Sequence, residues 1–215
     1  MIRIFLVDDH AVVRHGLKQI LSEAIPGSSF QEAGSAEEAL ARVRASSFDI
    51  VILDISLPGE SGLDFLKEIK QIQPNLPVLI LSVYPEEEFA VRTLRAGAAG
   101  YVTKQSASTE LVDAVRKVVG GGLYVTAVLA EKLAEDVQKG AAQAPHERLS
   151  DREYQVFRLL GLGKSVTQAA DELSLSVQTV STYRSRILQK MGMSSNADLV
   201  EYVFRNRPFQ WRAEL

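Results

Sequence analysis

The chain has 215 residues, 46% of them hydrophobic, which supplies a sizeable core and excludes disorder throughout. It has no cysteine, which excludes a disulfide framework and a thiolate metal site. MIRIFLVDDH lacks the long apolar stretch and cleavage site of a signal peptide, and no apolar run approaches bilayer length, so a soluble cytoplasmic protein is expected.

The formal net charge of −3 is unevenly spread: residues 1–122 hold 12 basic and 16 acidic side chains, whereas residues 148–215 hold 10 and 7. An acidic front points to a cation site and a mildly basic back to a polyanion partner.

The first half alternates short apolar runs with amphipathic stretches. Strands are predicted at 2–7, around Phe30, and at 49–53, 77–81 and 100–103, with helices at 11–24, 35–45, 62–72, 86–96 and 107–119. Ser35 and Glu38 have capping-box spacing. Five βα units on this spacing imply a doubly wound parallel sheet with helices on both faces, and ligands in such sheets lie at the carboxyl ends of the strands. After Gly120–Gly121–Gly122 a helix is predicted at 126–139. GAAQAPHER at 140–148 is small, polar and broken by Pro145, as an interdomain linker would be. Only helical signals follow, at 151–162, 166–173, 177–191 and 196–205, with capping-box spacing at Ser150/Glu153 and Ser165/Gln168 and N-caps at Ser176 and Ser195. The expected domains are 1–120, a linker with a helix at 121–147, and an all-α four-helix domain at 148–215.

The topology gathers Asp8 and Asp9 after the first strand, Asp54 at the end of the third, Ser82 after the fourth and Lys104 after the fifth. Singly, each has a plainer reading: a solvated strand end, a turn residue, a surface charge. Jointly, they make a site. Crowded carboxylates repel one another, a hard cation relieves that repulsion, and Mg²⁺ suits a site with few protein carboxylates. A cation and the Lys104 ammonium together can neutralise an incoming phosphoryl group, and an aspartate nucleophile then forms an acyl phosphate. On this reading Asp54 is the nucleophile, Asp8 and Asp9 help hold the metal, Ser82 donates to the phosphoryl oxygens and Lys104 pairs with them. His10 and His15 are read as surface residues and His146 as part of the linker.

VDD at 7–9, LDISLPG at 53–59, LS at 81–82 and YVTK at 101–104 closely resemble the receiver domain of two-component response regulators, over roughly residues 1–120. The resemblance implies a flavodoxin-like sheet of order 2-1-3-4-5 and phosphate transfer to Asp54 from a sensor histidine kinase. It implies Mg²⁺ held by Asp9, Asp54 and the backbone carbonyl of Ser56, with Asp8 acting mostly through water. It also implies that Ser82 and Tyr101 couple phosphorylation to the face made by the fourth helix, fifth strand and fifth helix. Two positions depart from the pattern. Gln105 stands where many receivers have Pro, so the loop is expected to differ, and Ser56 stands where relatives often have Met, beside the acyl phosphate. A phosphohydrolase with an aspartate nucleophile is the competing reading. It wants a second acid to activate water, and Ser56 occupies that place in the DxD pattern of haloacid-dehalogenase-type phosphatases, so no enzyme is expected. A phosphate sink acting by protein contact alone is a third reading.

SVTQAADEL, SLS and VQTVSTYRSRILQKM outline a helix-turn-helix. Val177, Val180, Ile187 and Met191 should face the core, which leaves Gln178, Ser181, Thr182 and Ser185 outward with Arg184 and Arg186 on the flanks; Thr167 and Thr179 join them as candidate DNA contacts. LSDREYQVFRLL, the helix pair and SNADLVEYVFR are similar to the DNA-binding domain of the NarL/FixJ (LuxR-type) regulators, and TVSTYRSRILQK particularly to the BvgA and EvgA branch. Many relatives have a basic residue at Ser181 and His at Tyr183, so the resemblance implies no base sequence. It does imply double-stranded promoter DNA as a partner and a homodimer through the last helix, where Leu199, Val200, Val203 and Phe204 offer apolar surface. Some of these four must anchor the helix to its own domain. The tail, with Trp211, is expected to be frayed.

Overall fold

The computed structural model describes residues 1–57, 62–139 and 144–209; Pro58 and Gly59 of the LDISLPG motif and Trp211 of the tail lie outside these. The chain divides into two compact units, Met1–Glu135 and Asp136–Leu215.

The first unit is built on strands β1 (Arg3–Val7), β2 (Ser29–Ala33), β3 (Ile50–Asp54), β4 (Val78–Ser82) and β5 (Gly100–Thr103), all parallel in the order β2-β1-β3-β4-β5. IVILD and VLILS are buried at every position, as central parallel strands must be when helices cover both faces. Alternation along the strands divides the core. Ile4, Leu6, Ile52 and Leu81 pack with Leu21 of α1 (Ala11–Ala24) and with Leu111 and Val115 of α5 (Ala107–Val119). Phe5, Val51, Leu53 and Ile80 point the other way, beneath α2 (Ala36–Ala45), α3 (Gly62–Ile72) and α4 (Glu86–Arg95). Ser35 caps α2 by accepting from the Glu38 N–H, but the Glu38 carboxylate reaches the Gly34 N–H and not Ser35's own, so the motif is half a capping box.

The free edge of β5 is covered by the segment that follows α5. Tyr124 pairs in parallel with Gly100 and donates its N–H to the Ala99 carbonyl at 2.8 Å. Only glycine fits there, because a Cβ on Gly100 would lie 2.8 Å from Tyr124 Cβ and 2.9 Å from its carbonyl oxygen. Thr126 then starts α6 (Ala127–Lys139). Its hydroxyl accepts from the Leu129 N–H and lies 2.8 Å from both Glu86 carboxylate oxygens, which ties the start of α6 to the start of α4.

The second unit contains a 3-10 turn, Pro145–Arg148, then α7 (Asp151–Gly161), α8 (Val166–Glu172), α9 (Val177–Met191) and α10 (Asn196–Asn206). Ser150, Ser165 and Ser195 each form a reciprocal capping box, and Ser176 caps α9. The turn between α8 and α9 places Ser174 in the left-handed region at φ 53°. Two sequence expectations are corrected here. Val177 is not core but 48% exposed, because the first residue of α9 projects beyond the buried stripe that Val180, Ile187 and Met191 form. His146 is not simple linker: its ring packs among Tyr154, Phe157 and Tyr202, with Nδ1 2.7 Å from the Tyr202 hydroxyl. No helix among the described residues is long and apolar enough to cross a membrane.

Candidate functional site

The carboxyl ends of β1, β3, β4 and β5 bring Asp8, Asp54, Ser82 and Lys104 to one rim, as the strand order requires. Asp8 and Asp54 are each only 1% exposed, and Ser82 is fully buried. Two buried carboxylates need a counter-charge, and Lys104 supplies it, with Nζ 2.7 Å from Asp54 Oδ2 and 2.7 Å from Asp8 Oδ2. Asp54 Oδ1 accepts the Ser56 N–H at 2.8 Å. Burial pushes the Asp54 carboxyl above its ordinary range against the pull of Lys104 and the Ser56 N–H, and the Asp8 charge adds to the rise. Burial pulls the Lys104 ammonium down, but Asp54 and Asp8 together outweigh it and hold the lysine above its ordinary value.

Asp9 lies at the same rim, more exposed. Asp8, Asp9, His10 and Asp54 each offer a ligand atom, and these atoms all lie within 4.8 Å of one another. The donors suit a divalent cation with oxygen ligands. Among the described residues, Ser56 Oγ is buried without a hydrogen-bond partner and Asp8 Oδ2 is met only by its ion pair with Lys104, so both oxygens have capacity for a cation's water.

Ser82 connects the rim to the next loop. Its Oγ accepts the Tyr84 N–H at 3.0 Å, which leaves the hydroxyl proton to donate. Its carbonyl accepts the Lys104 N–H at 2.6 Å, so the backbone of the lysine is fixed by the serine. Tyr101 is buried, and its hydroxyl donates to the Tyr84 carbonyl at 2.9 Å, so Ser82 and Tyr101 hold the same residue from two strands. The sequence reading left out Tyr84 as well as Arg14, whose guanidinium donates to the Asp8 carbonyl at 2.6 Å and also meets Glu32. The peptide between Lys104 and Gln105 is trans.

In the second unit, Thr167, Gln178, Thr182, Ser185 and Arg186 are exposed, while Thr179, Ser181 and Arg184 are half-buried. The hydroxyls of Thr182 and Ser185 donate to carbonyls one turn back, those of Gln178 and Ser181. Arg184 Nε donates to the Asn196 side chain, so this arginine also braces α9 against α10. The structure divides the four apolar residues of α10. Leu199 and Val203 are buried in their own domain, Val200 is half-buried, and Phe204 is 73% exposed.

Residues 4–116 match the response regulator receiver domain family, and residues 147–203 match the luxR family of bacterial regulatory proteins. The chain belongs to the LuxR-family response regulators. This response regulator is 35% identical to GacA of Pseudomonas viridiflava over 207 residues, 96% of its own length and 97% of GacA. It is 31% identical to UvrY of Escherichia coli K12 over 207 residues, 96% and 95% of the two chains. Among solved structures, RcsB of Salmonella enterica serovar Typhimurium matches 95% of this response regulator and 99% of that chain, with 25% identity and a TM-score of 0.60. Likeness to the BvgA and EvgA branch rests on TVSTYRSRILQK alone.

Proposed function

We propose that Asp54 accepts a phosphoryl group and that its phosphorylation controls promoter binding by the helix-turn-helix. The observation that carries this is the Lys104 ammonium shared at 2.7 Å between two buried carboxylates, beside a buried Ser82 hydroxyl with a proton to give. In the transfer, an Asp54 carboxylate oxygen attacks phosphorus, the P–N bond of a sensor kinase's phosphohistidine breaks, and the imidazole leaves with the electron pair. Lys104 follows the negative charge from the carboxylate to the phosphoryl oxygens, and Ser82 donates its hydroxyl proton to one of them. Asp9, Asp54 and the Ser56 carbonyl would hold Mg²⁺, which supplies charge neutralisation at the phosphoryl oxygens, with Asp8 acting through water. Once the Ser82 hydroxyl turns toward phosphate, its bond to the Tyr84 N–H is weakened. The loop held by Tyr101 is then free to take a second position, which biases a population of states.

Gln178, Thr182, Ser185 and Arg186 on the exposed side of α9 would enter the major groove, with Thr179, Ser181 and Arg184 at its edges and Thr167 on the backbone. The solved complexes of RcsB with promoter rprA in the presence of phosphomimetic BeF3⁻, and of two RcsB dimers bound to two parallel DNAs, support this reading. Phe204 and Val200 would form the dimer contact, with Leu199 and Val203 shaping it from beneath.

The test is binding to duplexes selected from a random DNA pool, at fixed salt, with Mg²⁺ and a small phosphodonor, for the wild type and Asp54→Ala. Phosphodonor tightens binding only when Asp54 is present. Equal binding by both proteins in both conditions would place control of the reader elsewhere.

A further inference from the structure

Immediately after the two acids of the rim, the structure brings an imidazole to them. His10 Nδ1 lies 2.9 Å from Asp9 Oδ1 and 3.2 Å from Asp8 Oδ1, and the His10 backbone N–H donates to the same Asp8 oxygen at 2.8 Å. That backbone bond closes a tight turn between β1 and α1 and so fixes the ring's starting point. The side chain is 63% exposed, so packing does not hold it there; the carboxylates do. His10 and the carboxylates of Asp9 and Asp54 each offer a ligand atom within 4.8 Å of the others, close enough to share one cation.

We propose that His10 is a nitrogen ligand of the divalent cation at this rim and shifts its preference toward borderline metals. This rests on the reading of Asp9 and Asp54 as the metal site. A cation bound beside Asp9 takes the lone pair of a neutral imidazole at Nδ1, and the ring keeps its one proton on Nε2. An all-oxygen site favours hard Mg²⁺. An imidazole adds more to Mn²⁺ and much more to Co²⁺, in the order that nitrogen ligands follow along the first-row metals. His10 is thus a specificity residue, setting which cation accompanies phosphorylation, while Asp54 and Lys104 do the transfer.

The test uses the full chain as wild type, His10→Ala and His10→Gln. Glutamine keeps a donor that can reach the carboxylates but is a poor ligand. Pulsed EPR of bound Mn²⁺ reads imidazole nitrogen coupling directly, and calorimetry gives Co²⁺ and Mg²⁺ affinities. Nitrogen coupling is expected in the wild type and absent from both variants. Co²⁺ affinity is expected to fall at least about 10-fold, the lower end of what losing even an outer-shell partner costs, with Mg²⁺ affinity nearly unchanged. If Mn²⁺ binds with no nitrogen coupling, or the variants keep the wild-type Co²⁺ to Mg²⁺ ratio, His10 is a surface residue hydrogen-bonded to two acids and the proposal fails. If none of the three cations binds the wild type, the underlying metal-site reading fails with it.

Discussion

Lys104 is the counter-charge for both Asp8 and Asp54, and its own chain is mostly buried, so its removal leaves two carboxylates facing each other with little water. Lys104→Met should therefore cost about 3 kcal/mol of receiver stability at neutral pH, as loss of one member of a buried ion pair does. The deficit should shrink as pH falls, because burial raises the Asp54 carboxyl and a protonated carboxyl needs no counter-charge, and millimolar Mg²⁺ should restore part of it at neutral pH. Urea titrations at two pH values with and without Mg²⁺ measure this; a variant as stable as the wild type at neutral pH would mean the lysine does not hold the acids. These residues were legible in the sequence because a parallel sheet sends every strand's carboxyl end to one edge, so Asp8, Asp54, Ser82 and Lys104 meet whatever their separation along the chain. His10 was not legible at its rim position, since its contact depends on the turn closed by its own N–H on Asp8, a bond that periodicity does not encode.

At the scale of elements, the segment after α5 is held by a backbone approach that no side chain larger than hydrogen permits. Gly100→Ala places a methyl 2.8 Å from Tyr124 Cβ and must displace that segment, at a cost of about 1–3 kcal/mol. Hydrogen exchange should show the Tyr124 N–H losing protection while the central strands keep theirs; unchanged protection would mean the bridge to Gly100 is not what holds it. In the second unit, α7 and α9 are tied by Glu153, which is buried, completes the Ser150 capping box and meets Lys190 Nζ at 2.6 Å. Burial raises the Glu153 carboxyl, but Lys190 and the Ser150 N–H and hydroxyl outweigh it and hold the group below its ordinary 4.5. A depressed carboxyl contributes stability above its unfolded value and loses it as pH falls through the folded one. Glu153→Gln should thus cost roughly 1–2 kcal/mol at neutral pH, discounted because Lys190 is partly exposed, with the difference lost as pH falls below the ordinary 4.5 and through the depressed folded value. Thermal melts across that range decide it, and a difference independent of pH would assign the effect to packing. The helices themselves were legible through Ser150, Ser165, Ser176 and Ser195, because an N-cap is a local signal. The 3-10 turn at Pro145–Arg148 was not, because its place comes from His146 packing on Phe157 and on Tyr202, the latter far along the chain.

Over the whole molecule, residues 1–122 are net acidic and residues 148–215 slightly basic. Residues 148–215 carry a small basic excess, so phosphate contact must come from a few well-placed cations and not from a diffuse field. Arg186 is exposed on α9 beside the polar face, whereas Arg184 spends its Nε on Asn196. Arg186→Ala should weaken binding to all duplexes alike and lower the slope of log affinity against log salt by about 1, the signature of one lost phosphate contact. Gln178→Ala should leave that slope unchanged and weaken selected duplexes more than random ones, by about 1–3 kcal/mol, because a base-edge contact is lost. Salt titrations of both variants on a selected and a random duplex measure the two effects separately. If Arg186→Ala changes sequence preference with the slope intact, the arginine reads a base and the phosphate contacts come from elsewhere on the unit. If neither variant changes anything, the exposed side of α9 is a solvated helix face and another surface meets the DNA.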